Sequence, residues 1–196
     1  DVAVEDSSYT TGRRGVAATV IVEKIVGSLA ETGGSLKECK ILGDKVNRNS
    51  GSMGVAFSSC TVPAAGKPTF KLGSDEMEFG VGIHGEPGRR RDKVQPAQEI
   101  TNELLGAIIE DLKLENNGEI LLFVNGMGGT PLSELYLLYD NAKKTLDNKN
   151  IKIARSLVGN YCTSLEMQGA SLTITKLDQE LKKHWDSPVH TASMRW

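Results

Sequence analysis

Along the chain the apolar positions switch repeatedly between a spacing near 3.6 and a spacing of two, and this alternation lays out a mixed α/β protein. Val16, Val20, Ile21, Ile25 and Leu29 recur at helical spacing and stop at Gly33-Gly34. Ser35-Leu36-Lys37-Glu38 has the form of a capping box, and a second helix follows through Leu42 and Val46. Behind Pro96, which suits a first helical turn, Ala97, Ile100, Leu104, Leu105, Ile108, Ile109 and Leu112 give a wide apolar stripe. Leu132, Leu135, Tyr136, Tyr139 and Leu146 mark a fourth helix with Thr130 as its expected cap, and Asp178 to Trp185 predicts a short fifth.

The strand signals lie between these helices. Asp1-Val2-Ala3-Val4-Glu5 reads as the last part of a strand already under way, which suggests a piece of a longer polypeptide. Met53 to Val62 predicts a strand closed by Pro63, and Phe70-Lys71-Leu72 a short edge. Glu119 to Val124 is a continuous apolar run suited to a central strand buried on both faces. Ile151 to Val158 and Ser171 to Leu177 complete the set. Several strands succeed one another without helices, so the prediction is α/β: a mixed sheet with helices mainly on one face, in two layers.

The stretch of greatest chemical interest runs from Glu76 to Gly88. Met77, Phe79, Val81 and Ile83 alternate and predict one buried face; Glu76, Glu78, Gly80, Gly82 and His84 share the other. Gly80 and Gly82 leave the surface beside His84 bare, as a closely approaching ligand or backbone requires. A strand-end histidine before Gly85-Glu86-Pro87-Gly88 is equally the pattern of a solvated turn, so spacing leaves both readings open.

Two other segments carry the same ambiguity. Asn125-Gly126-Met127-Gly128-Gly129-Thr130-Pro131 joins a strand to a helix and fits a phosphate cradle or a plain tight turn, although the Walker and dinucleotide spacings are both absent. Arg89-Arg90-Arg91-Asp92-Lys93 reads as a solvated loop or as a docking patch for an acidic or phosphorylated partner. Arg13-Arg14 fits an anion site or a surface ion pair.

Composition narrows the classes. With 196 residues, 39% hydrophobic, the chain suits a fold of one domain or a little more. A net charge of −2 gives no global field for nucleic acid or an anionic membrane. No apolar run is long enough to span a bilayer. Cys39, Cys60 and Cys162 form no Cys-x-x-Cys pair and argue for reduced thiols, hence a cytoplasmic protein. His84, His184 and His190 show no metal-ligand spacing with one another or with the cysteines, so no metal site is expected. Cys162 lacks an identifiable base and reads as a structural thiol rather than a nucleophile.

Taken together, Ser8-Tyr9-Thr10-Thr11-Gly12-Arg13-Arg14-Gly15, Cys60-Thr61-Val62-Pro63-Ala64-Ala65-Gly66-Lys67-Pro68, Glu78-Phe79-Gly80-Val81-Gly82-Ile83-His84-Gly85-Glu86-Pro87-Gly88 and Thr130-Pro131-Leu132-Ser133-Glu134-Leu135-Tyr136 resemble dihydroxyacetone kinase. Tyr161-Cys162-Thr163-Ser164-Leu165 and Trp185-Asp186-Ser187-Pro188-Val189-His190-Thr191 continue the resemblance, which is to the carboxy-terminal half of the substrate-binding subunit and covers almost the whole chain in order. It implies the second domain of a two-domain subunit. His84 is then the nucleophile that holds dihydroxyacetone as a covalent hemiaminal, with Gly82 and Gly85 beside the substrate.

The resemblance also implies a homodimer and a separate nucleotide-binding subunit carrying ADP or ATP with magnesium, with no cofactor in this chain. Recharging by a phosphotransferase-system protein is the preferred form. The family's triple-glycine Ser-Gly-His loop and acidic general base belong to an amino-terminal half that this sequence does not include. Residues 1–185 are accordingly expected to form the histidine-bearing domain, and the tail 186–196, with Trp196, to pack on that other half. A sensor of the same family, which captures the ketone and acts on a transcription regulator, is the alternative. A fatty-acid-binding protein is disfavoured, since it needs an apolar tunnel where Gly80, Gly82 and His84 stand.

Overall fold

The computed structural model describes residues 1–4, 12–83 and 88–196. Among the described residues the apolar periodicities become five helices and eight strands: α1 (Ala18–Glu31), α2 (Leu36–Arg48), β1 (Ser50–Ala56), β2 (Thr61–Val62), β3 (Lys67–Pro68), β4 (Glu76–Phe79), β5 (Arg90–Lys93), α3 (Ala97–Leu112), β6 (Glu119–Gly126), α4 (Leu132–Asn148), β7 (Lys152–Gly159), β8 (Gly169–Lys176) and α5 (Gln179–Asp186). Six strands make one sheet in the order β5-β4-β1-β8-β6-β7, and β2 and β3 pair separately. Among the described strands only β6 and β7 run parallel, joined through α4; the other strand pairs are antiparallel. This is the mixed sheet the sequence predicts.

The continuous apolar run of β6 explains the layers. Ile120, Leu122 and Val124 enter one core with Ile100, Leu104, Leu105 and Ile108 of α3 and Leu135, Ala142 and Leu146 of α4. Leu121 and Phe123 enter a second core with Ile21 and Ile25 of α1, Leu42 and Val46 of α2, and Leu181 and Trp185 of α5. Both faces of β6 are therefore dry, and full burial of a side chain such as Phe123 contributes about 1.5–3 kcal/mol. The helices cover both faces of the sheet rather than mainly one, giving three layers. The reason is that α1, α2 and α5 have apolar stripes of their own, which only the second face of the sheet can bury.

Local signals set several boundaries. Ser35 accepts from the Glu38 amide at 3.3 Å while the Glu38 carboxylate takes the Ser35 amide at 2.8 Å, the reciprocal box predicted at the start of α2. Gly33 closes α1 with a φ of +88°. Thr130 does not cap α4, whose N-cap is Pro131; its hydroxyl bonds the Gly169 main chain on β8 instead. Residues 1–4 form no strand and touch β1 through Val2 N donating to Ser52 O at 2.8 Å; Glu5 lies outside the described residues.

Candidate functional site

The Glu76 to Gly88 stretch begins as β4 but does not continue as one strand. Met77 and Phe79 sit in the α3/α4 core, fully buried. At Gly80 the backbone turns to a φ of +74°, a region open to glycine at no steric cost. Val81 therefore leaves the Met77/Phe79 face and joins a separate cluster with Ala56, Cys60, Met127 and Met167. The period of two is broken at one glycine. A Cβ on Gly80 would stand 2.7 Å from that of Ala3, so the missing side chain admits the Ala3 methyl. Gly82 is buried, and His84 and Gly85 lie outside the described residues.

Both stems of this loop are pinned. On the outgoing side Gly80 N donates to Gly54 O at 2.6 Å, and the Arg14 guanidinium donates to Gly80 O at 2.5 Å. Arg14 is itself buried and ion-paired with the Asp1 carboxylate. On the returning side Gly88 N donates to Glu78 Oε1 at 2.8 Å and Arg89 N to Phe79 O at 2.7 Å. The Arg89 guanidinium reaches the carbonyls of Val2 and Ala3. Sequence reasoning missed Glu78 and Arg14 as anchors. The available signal was a carboxylate alternating with buried Met77 and Phe79, opposite an arginine-rich stretch.

That stretch is a strand, not a loop. Arg90 to Lys93 form the β5 edge, paired with β4 from Glu76↔Lys93 to Phe79↔Arg90. Its cations are held within the chain: Arg90 by Glu103, Arg91 by Glu78 and Lys93 by Asp75. A charged edge discourages pairing with another sheet, which accounts for the run without a docking partner. Arg13 likewise makes two bonds to Asp111, at 2.7 and 2.8 Å.

The glycine-rich loop after β6 resolves as close backbone packing. A Cβ on Gly128 would lie 1.9 Å from Leu165 O, and one on Gly129 2.4 Å from Glu166 O. Gly129 N donates to Met167 O at 2.9 Å and Met127 N to Gly169 O at 3.0 Å. The amides that a phosphate would use at these two positions are taken. Asn125, fully buried, holds the facing segment: its side chain accepts from the amides of Tyr161 and Cys162 and donates to Cys162 O at 2.8 Å. Burial pushes the Cys162 thiol up, with the Glu23 charge adding, which keeps it protonated and inert. Met127 of this loop and Met167 of the facing segment are the neighbours of Val81, so the β6 loop floors the region from which the chain runs toward His84.

Among the described residues no group of three or more His, Cys, Asp or Glu gathers as a metal site. No helix there is long and apolar enough to cross a membrane. The tail folds back on this chain: Val189 and Trp196 exchange main-chain hydrogen bonds at 3.1 Å, and Lys24 donates to the carbonyls of His184 and Ser187, each at 2.9 Å.

Comparison with known proteins places these features in a family. The Dak1 domain matches residues 1–193. The dihydroxyacetone-binding subunit DhaK of PTS-dependent dihydroxyacetone kinase 1 from Listeria innocua is 51% identical over 180 residues, covering 92% of this chain and 55% of its own length. A solved dihydroxyacetone kinase operon co-activator, Dha-DhaQ, superposes with a TM-score of 0.87 at 32% identity, over 96% of this chain and 58% of that one. The dihydroxyacetone kinase of C. freundii in complex with AMP-PNP and Mg2+ superposes with a TM-score of 0.78 at 27% identity, over 95% of this chain and 34% of its own. The chain spans 55% to 62% of the length of three bacterial dihydroxyacetone-binding subunits it matches.

Proposed function

This chain belongs to the Dak1 domain family, and on that premise we propose that it is the histidine-bearing part of a dihydroxyacetone-binding kinase subunit. The observation that carries the reading is the 51% identity with such a subunit across 92% of the chain; this chain carries its own Gly-Ile-His-Gly-Glu-Pro-Gly stretch at 82–88. In this reading His84 captures the substrate. Its unprotonated ring nitrogen attacks the ketone carbon of dihydroxyacetone, and the carbonyl π pair moves to oxygen, which takes up a proton. The ring then releases its other N–H proton, so the net change is addition of N–H across C=O with no oxidant. A carbonyl is required, so glycerol is not captured. Gly82 and Gly85 flank the histidine in sequence, and neither brings a side chain that would compete with a three-carbon ligand.

Covalent capture fixes the position of a small substrate, which lowers the entropic barrier to phosphorylation of its terminal hydroxyl. The transferred group is the terminal phosphoryl of ATP, held with magnesium on a separate nucleotide-binding subunit, and the ADP left there is re-phosphorylated through the phosphotransferase system, in a cytoplasmic complex built on a homodimer. The general base lies in the other domain. The tail 186–196 contributes to the contact with that domain through Trp196, which remains 46% exposed beside Trp185.

The likeness to a co-activator at a TM-score of 0.87 favours a second reading, a ketone sensor that acts on a transcription regulator. Both need the adduct. Intact mass and carbon NMR with carbonyl-labelled dihydroxyacetone, on the complete subunit and its His84→Ala form, test the common step. A hemiaminal carbon present only with His84 supports it, and an unchanged ketone signal in both sinks it. Turnover with the nucleotide-binding subunit then separates kinase from sensor.

A further inference from the structure

Glu78 is only 7% exposed, and an ionised carboxylate at that depth is costly unless its oxygens are bonded. They are bonded to two different things. Oε2 receives Arg91 across the β4–β5 pair at 3.2 Å, and Oε1 receives the Gly88 amide at 2.8 Å. The second bond lies outside the sheet ladder, which ends at Phe79↔Arg90. It is directed at the loop.

Gly88 leaves no alternative to this approach. A Cβ there would stand 2.0 Å from Phe79 O and 3.0 Å from Glu78 Cγ, so the returning chain presses against the strand it left. Gly80, the outgoing stem, is fixed independently by Gly54 and Arg14. The segment carrying His84 is thus tied at one end through a carboxylate and at the other through a guanidinium, both buried.

We propose that Glu78 is a positioning residue for covalent capture: by holding the Gly88 amide it sets the returning stem of the loop that carries His84. This rests on the reading of His84 given above. The effect acts through geometry, since a nucleophile whose loop stem is released spends less time in the attacking arrangement. A hydrogen bond to a charged group is worth an amount that converts to roughly a tenfold to hundredfold change in an equilibrium.

The experiment uses the complete subunit with labelled dihydroxyacetone, as wild type, Glu78→Ala, Glu78→Gln and Arg91→Ala. Adduct formation and hydrogen exchange of the Gly88 amide are read together with the unfolding midpoint. Glu78→Ala is expected to weaken adduct formation by roughly tenfold to hundredfold and to speed Gly88 exchange. Glu78→Gln keeps an acceptor for that amide and is expected to restore most of both. Arg91→Ala removes the cross-strand ion pair alone and is expected to keep the adduct, which separates positioning from general stability. A Glu78→Ala protein that forms the adduct as well as wild type overturns the proposal. If wild type forms no adduct, the reading of His84 fails on its own, and the anchor is judged by Gly88 exchange: faster in Glu78→Ala supports it, unchanged overturns it.

Discussion

The indole of Trp196 lies against that of Trp185, with ring centroids 5.4 Å apart and planes inclined at 45°. Trp185 is 4% exposed on α5 and belongs to the core under α1 and α2, whereas Trp196 covers it from outside. The Lys24 ammonium sits 5.4 Å from the Trp196 ring while donating to two carbonyls at the end of α5. The tail is thereby fastened to α1 and α5 by one aromatic pair and one cation.

This arrangement predicts unequal costs. Trp185→Ala opens a cavity in a packed core and is expected to lower stability by about 3–5 kcal/mol. Trp196→Ala loses an aromatic contact and is expected to lose only about 1 kcal/mol. Urea unfolding followed by circular dichroism measures both. Equal losses would mean that the tail is as integral to the core as α5.

Ser171 offers a stabilising change. Its hydroxyl, on β8 opposite Gly54 and Asn125, is buried without a hydrogen-bond partner among the described residues. Its neighbours on the same strand succeed where it does not, with Ser52 and Thr173 bonded to each other at 2.7 Å and Ser50 and Thr175 at 2.7 Å. Ser171→Ala removes an unsatisfied group and is expected to raise stability by about 1 kcal/mol. A loss of that size in thermal unfolding would reveal a partner for the hydroxyl.

Much of this architecture was legible in the sequence because the informative patterns were local. The Ser35 to Glu38 box and the stripe of α3 specify their elements with no help from distant residues. What failed to read was decided elsewhere in the fold. At Gly80, where β4 has ended, the Ala3 methyl occupies the place a side chain would take, a contact between positions far apart in sequence. Arg90 to Lys93 become a strand because Glu103, Glu78 and Asp75 neutralise them from α3, β4 and the turn before it. The three-layer arrangement follows from the second face of β6, which a count of strands without intervening helices does not reveal. Of the candidate site, the histidine motif was legible as a pattern, but the carboxylate and guanidinium that tie its stems were not.

Glu119 carries a pH dependence with a definite sign. Hydrogen bonds from Lys152 and then Lys182 hold its carboxyl down at about 2, from an ordinary value of 4.5. A depressed carboxyl stabilises the fold fully above its unfolded value, and this contribution is lost as pH falls from about 4.5 to about 2. Glu119→Gln is therefore expected to flatten the stability profile in that window and to leave its shape near pH 7 unchanged. Salt should weaken the effect, because the group is at the surface. Parallel acid-unfolding curves for wild type and variant test this, and an identical slope in both would assign the acid sensitivity to other carboxylates.

The loop after β6 allows the sharpest distinction between a binding motif and a packing motif. Glycines serve either purpose, but the neighbours of Gly129 do not: Glu166 O, Gln168 N and Met167 C surround the place of its absent side chain at 2.4, 3.1 and 3.1 Å. These are backbone atoms of the segment entering β8, which is also held by Thr130 and Asn125, so they have little freedom to retreat. Gly129→Ala is expected to cost about 3 kcal/mol, as overpacking against fixed main chain does. Gly128→Ala is expected to be at least as damaging, since it adds a φ of +118° to a Cβ contact of 1.9 Å. A phosphate cradle makes a different forecast: inorganic phosphate would raise the unfolding midpoint of wild type and shift the amide resonances of Gly128 and Gly129. The taken amides of Met127 and Gly129 lead us to expect neither. A saturable phosphate-dependent shift at those amides would return the loop to ligand binding.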